Sequence, residues 1–137
     1  MFFLNNFSLF KMTMHKDLLN LIKDVTEELI PFNKLLGLSV QYMDENQMRL
    51  RFEMRPELVG NFLRGNLHGG VIASVLDVVG GMTAWLGVMK KMKGSTIEQM
   101  KDCFVKIGTI DLRVDYLRPG LGEFFVDSGN ILRTGNK

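Results

Sequence analysis

Cysteine and histidine are scarce. A single cysteine, Cys103, excludes an internal disulfide framework and a zinc site of the multi-cysteine kind. His15 and His68 are the only histidines, and no carboxylates stand at ligand spacing beside them, so no metal centre is expected. A surplus of one charge is missing too. The 17 basic and 15 acidic residues leave +2, too little for a nucleic-acid binder that works by phosphate neutralisation. The stretch from Met1 to Lys11 has no basic n-region and no small-residue cleavage site, which argues against a secretory signal. Internal repeats and low-complexity tracts are lacking as well. What is present is an ordinary globular composition: 137 residues, 46% hydrophobic and 23% charged. One domain of that length can bury roughly 68% of the surface its unfolded chain would expose. A reduced, cytoplasmic, soluble protein is the expectation.

Met12 and Met14 stand just before the first convincing helix, so residues 1–14 read as a disordered or artefactual leader and 15–137 as the domain. From His15 to Ile30 the apolar residues Leu18, Ile22, Val25 and Leu29 mark one helical face, and Pro31 stops the helix. Two alternating runs follow, through Leu38, Val40 and Tyr42, then Met48, Leu50, Phe52 and Met54. The polar stretch Asp44–Gln47 between them predicts a hairpin. Arg55 to Leu67 reads as loop. A third alternation runs Ile110, Leu112, Val114, Tyr116, and after the turn at Arg118-Pro119-Gly120 a further strand is expected around Glu123 to Leu132. With a long helix between the strand pairs, the class is antiparallel α+β.

That long helix, Gly69 to Met89, has a single ionisable side chain, Asp77. Its length raises the question of a membrane span. A mid-span carboxylate costs on the order of 3 kcal/mol in a bilayer, and the five glycines further weaken a helix. The flanking strands also need this helix for their core, so a helix enclosed by its own protein is the better reading, with no membrane partner. Ala73, Asp77, Gly80, Gly81 and Ala84 fall at helical spacing, with Ser74 beside them. A face of small residues lets another backbone or a ligand approach, and Asp77 stands in its middle. A buried, unpaired carboxylate is expensive unless it is hydrogen-bonded or has work to do.

Immediately before the helix stands Gly65-Asn66-Leu67-His68-Gly69-Gly70. The unbonded N–H groups of a helix's first turn favour developing negative charge, and glycines there admit a substrate carbonyl. That is what an oxyanion hole requires. His68-Gly69-Gly70, an acid nine residues after the His, and Asp115-Tyr116-Leu117-Arg118-Pro119-Gly120 together resemble the hotdog-fold acyl-CoA thioesterases of the phenylacetate-degradation type, over roughly residues 30–137.

The resemblance implies a long helix wrapped by a curved antiparallel sheet, with thioester hydrolysis at the interface of a homodimer or a tetramer of such dimers. It makes Asp77 the base or nucleophile, the Gly70 N–H the polarising donor, His68 an assistant, and Asn61 the amide that positions water or substrate. Asn66, Gly69, Ser74 and Arg118 are candidate substrate contacts, Arg118 for the phosphates of coenzyme A. The substrate brings its own coenzyme A, and no further cofactor is implied. Two departures from the family pattern stand out. The amide usually lies six before the His, where this chain has Phe62; Asn61 is seven before, so either the loop is shifted or Asn66 serves instead. The family also continues for about two strands beyond Lys137, so C-terminal strands of the sheet are expected to be missing.

Helix geometry bears on the site independently. At 100° and 1.5 Å per residue, His68 and Asp77 would lie about 180° around and roughly 13 Å along one axis. A two-fold dimer resolves this by facing Asp77 of one subunit to Gly70 and His68 of the other. A hotdog hydratase or dehydratase and a non-catalytic acyl-CoA-binding module are the competing readings.

Overall fold

The computed structural model describes residues 16–92 and 94–135. The expected leader, residues 1–14, lies outside them, as do His15, Lys93 and the last two residues.

The first helix, α1 (residues 16–24), ends in a π turn over Val25–Leu29. Thr26 is fully buried there and donates its hydroxyl back to the Ile22 carbonyl at 2.7 Å. Pro31 does more than stop this helix. It is the first residue of a second, α2 (Pro31–Leu36), where a missing N–H costs nothing because first-turn donors have no helical partner.

Strands β1 (Ser39–Met43) and β2 (Gln47–Glu53) form the expected antiparallel hairpin. Asp44 Oδ1 closes it by accepting the N–H groups of Asn46 and Gln47 at 2.8 and 3.0 Å. Those bonds, with the Tyr42 hydroxyl, hold the Asp44 carboxyl down at about 2. The alternation in β2 is realised as burial: Met48, Leu50 and Phe52 face inward, and Arg49 and Glu53 face water.

The segment expected to be loop, Arg55–Leu67, carries two short strands, β3 (Val59–Asn61) and β4 (Asn66–Leu67), paired antiparallel. They were invisible because two- and three-residue strands have no periodicity to read. Helix α3 follows over Gly69–Lys91. Val75, Val79, Met82 and Leu86 make its core stripe, with Trp85 packed on Phe104 at a ring separation of 4.4 Å. Phe104 ends α4 (Ile97–Phe104), a helix not among the expected elements although Thr96 and Gln99 form a reciprocal capping box.

The last strand, β5 (Phe124–Asn130), pairs with β2 and gives the sheet order β1-β2-β5. It lies close against α3, with Gly129 opposite Thr83 and the Val79 carbonyl. Lys90 ties the far end of the helix to the hairpin through Asn46 Oδ1 at 2.9 Å. The expected strand from Ile110 to Tyr116 makes no ladder among the described residues, and the chain bends at Ile110. Alternation specifies an extended backbone with two unlike faces; a strand also needs a partner at the right register. Here Ile110 and Leu117 are almost wholly exposed.

The result is the α+β arrangement of one long helix on an antiparallel sheet. α3 is long and apolar enough to cross a membrane, yet its bulky stripe is covered by β2 and β5. Its small face is open: Gly70, Gly80 and Ala84 are exposed and Ala73, Asp77 and Gly81 half-buried.

Candidate active site

Strand β4 delivers the chain to the start of α3, and His68 is the N-cap. Its ring Nδ1 accepts the Gly70 N–H at 2.8 Å, while its carbonyl accepts the Val71 N–H at 3.0 Å. The Gly70 donor, expected to polarise a carbonyl, is therefore occupied within the cap. The N–H left without a partner among the described residues is that of Gly69. The Gly69 carbonyl is held from the other side, accepting the Tyr116 hydroxyl at 3.0 Å. That bond fixes the Gly69–Gly70 peptide from outside the helix.

Gly69 opens on a cleft of about 450 Å³. Asn61, Arg64, Asn66, Tyr116 and Arg118 line it, with Leu67 and Ile72 as apolar wall. Asn61 Oδ1 accepts the Leu63 N–H at 3.1 Å, and its amide NH₂ has no partner among the described residues. Asn66 shows the opposite polarity: its NH₂ reaches the Leu67 carbonyl at 3.3 Å and leaves its oxygen available. Leu67 and Ile72 also wall a smaller cavity, about 160 Å³, completed by Phe52, Phe125, Val126 and Asp127. Burial raises the Asp127 carboxyl above its ordinary value. Desolvation disfavours the ionised form.

Of the expected site residues, the fold brings Asn61, Asn66, Gly69 and Arg118 together around this cleft. His68 and Gly70 stand beside it, joined to each other. Ser74 is one turn further on and spends its hydroxyl on the Gly70 carbonyl at 2.7 Å. Asp77 is not among the cleft's lining residues. It sits eight residues beyond Gly69, roughly 12 Å along the axis, on the open small-residue face. There Thr109 donates its hydroxyl to Asp77 Oδ1 at 2.5 Å. The carboxylate is half-buried and hydrogen-bonded.

Thr109, Tyr116 and Arg64 were not singled out from the sequence as site residues. Tyr116 lies inside the Asp115–Gly120 motif, which is the one sequence signal that points to it. Thr109 precedes the alternating run, and Arg64 sits in a turn, so neither carries a periodic signal. Among the described residues no group of three or more His, Cys, Asp or Glu side chains could hold a metal ion.

Comparison with known proteins agrees with this architecture. A crystal structure from Shewanella oneidensis, of a protein related to the thioesterase superfamily, superposes with a TM-score of 0.84 at 42% identity, covering 90% of this chain and 80% of that one. A Syntrophus aciditrophicus crystal structure does so at 0.80 and 43%, covering 91% and 82%. The Escherichia coli (strain K12) medium/long-chain acyl-CoA thioesterase YigI is 41% identical over 108 residues, 79% of this chain and 70% of the relative. The thioesterase superfamily profile matches residues 64–137, which begin at Arg64 and take in all of α3 and β5. By its profile, its relatives and the helix-on-sheet fold they share, this chain belongs to the thioesterase superfamily.

Proposed function

We propose that this protein is an acyl-CoA thioesterase that hydrolyses medium- or long-chain acyl-CoA to a free acid and coenzyme A, using Asp77 as its base. The observation that carries the reading is the state of Asp77: the lone ionisable group of the apolar stretch from Gly69 to Met89 is held by the Thr109 hydroxyl. A carboxylate oriented by a hydroxyl retains a second oxygen to accept a proton from water.

In this mechanism the thioester carbonyl meets the unpaired Gly69 N–H at the start of α3, where the helix dipole also favours negative charge. Water loses a proton to Asp77 and its oxygen attacks the carbonyl carbon. The tetrahedral oxyanion collapses, the C–S bond breaks, and the proton on Asp77 goes to the leaving sulfur. Because one helix separates Gly69 and Asp77 by roughly 12 Å, the two act on one substrate when each comes from a different protomer. The open face of Gly70, Ala73, Gly80 and Ala84 lets two such helices approach. The functional unit is then a homodimer, alone or paired as a tetramer, working in the cytoplasm without a metal or cofactor. The acyl chain runs past Leu67 and Ile72 toward the cavity at Phe52 and Phe125.

Thiol release from acyl-CoAs of graded chain length tests this. Wild-type protein should liberate free coenzyme A, and Asp77→Asn should lower turnover by on the order of 10²–10⁴ with an unchanged melting temperature. Near-wild-type turnover in that variant removes Asp77 from the mechanism. Absence of thiol release with any acyl-CoA removes the hydrolase reading, since a hydratase frees no thiol.

A further inference from the structure

The cleft beside Gly69 holds two arginines that the fold leaves without anionic partners. Arg64 stands in the turn between β3 and β4, and Arg118 in the turn before β5; both line the cleft, and no carboxylate does. Of the other described arginines, Arg133 lies away from the cleft and the rest are engaged. Arg51 pairs with Glu53 at 2.8 Å, Arg113 with Asp115 at 3.4 Å, Arg55 donates to the Leu35 carbonyl, and Arg49 lies over the Tyr42 ring. Arg64 and Arg118 have no such contact among the described residues.

Their backbones are nonetheless fixed. The Arg64 N–H donates to the Asn61 carbonyl at 3.1 Å, and Gly65 closes that turn at φ 66°, a left-handed conformation glycine adopts freely. Arg118 precedes Pro119, which restricts its backbone. Gly120, two residues on, accepts the Leu67 N–H of β4 at 2.9 Å. Both turns are thus bolted to the same short strand. Two guanidinium groups then stand on rigid turns around one cleft, exposed at its outside, while buried Leu67 lines its inside.

We infer that Arg64 and Arg118 together form a phosphate-recognition site that makes the enzyme select coenzyme A thioesters over thioesters of unphosphorylated carriers. The inference rests on the thioesterase reading, because it assigns the cleft to that same substrate. Guanidinium forks match phosphate oxygens bidentately, which a lysine cannot do. Since both side chains are exposed, the attraction is screened by salt and acts on binding, not on the chemical step.

The test compares acyl-CoA with acyl-pantetheine of the same acyl group, which ends before the phosphates, in wild type and in Arg64→Ala, Arg118→Ala and the double variant. Each single variant should raise KM for acyl-CoA roughly tenfold, the scale of one charge-assisted contact, with kcat nearly unchanged. The same variants should leave KM for acyl-pantetheine unmoved. Arg64→Lys should recover part of the loss, and the wild-type preference for acyl-CoA should shrink as salt is raised. Equal losses on both substrates, or no loss on either, would overturn the assignment. Calorimetric titration with coenzyme A itself separates the two readings. If no thioester is hydrolysed but coenzyme A binding still weakens in the double variant, the hydrolase reading fails and the phosphate site stands. If thioesters are hydrolysed and coenzyme A binding ignores both arginines, the phosphate site fails alone.

Discussion

Gly129 lies where β5 presses on α3, and replacing it with alanine sets two effects of opposite sign against each other. Its φ is not positive, so alanine suffers no backbone strain and gains about 0.5–1 kcal/mol from the lost freedom of the unfolded glycine. Against that, the added Cβ would run into Thr83 Oγ1 and lie 2.9 Å from the Val79 carbonyl oxygen. Thr83 is buried and its hydroxyl donates to that same carbonyl at 2.6 Å, so it cannot simply swing into solvent. Overpacking of this kind costs typically 1–3 kcal/mol, and displacing the hydroxyl bond adds about 1 kcal/mol. The clash wins: Gly129→Ala should be less stable by about 2 kcal/mol, or roughly 5–10 °C in melting temperature for a domain of this size. Thermal and urea unfolding measure it. A cycle with Thr83→Ala sharpens the point, because removing the hydroxyl relieves part of the clash while the Val79 carbonyl and Thr83 Cβ remain. The double variant should then be more stable than the sum of the singles by at least about 0.5 kcal/mol. A Gly129→Ala protein as stable as wild type would refute the close strand–helix contact.

Thr109→Val keeps the shape of Thr109 but removes the hydroxyl that holds Asp77; kcat for thioester hydrolysis should fall roughly tenfold, the worth of one hydrogen bond to a charged group, and Thr109→Ser should restore it. Wild-type kcat in the valine variant would leave that hydroxyl without a role. Asp127 bears on stability against pH. Its carboxyl is raised above 3.8 by burial, so between 3.8 and the raised value the folded state holds more protons than the unfolded one. Stability then falls as pH rises through that window. Asp127→Asn should accordingly be the more stable protein at pH 7, with the gap closing as pH falls below the ordinary carboxylate value; a gap independent of pH would contradict this.

The long helix, the β1–β2 hairpin and the last strand are legible in the sequence alone. Each is many residues long, and its apolar period repeats often enough to set which face is buried, as Met48, Leu50 and Phe52 illustrate. The glycines and the histidine that make the start of α3 a candidate site are likewise legible as letters. Which N–H that segment leaves unpaired was decided only in three dimensions. His68 folds back on Gly70, and Tyr116 arrives from 47 residues away to hold Gly69. Thr109 reaches Asp77 across 32 residues in the same manner. Such bonds depend on where the chain returns after its turns, and periodicity, which reports only on neighbours a few residues apart, contains no information about that return.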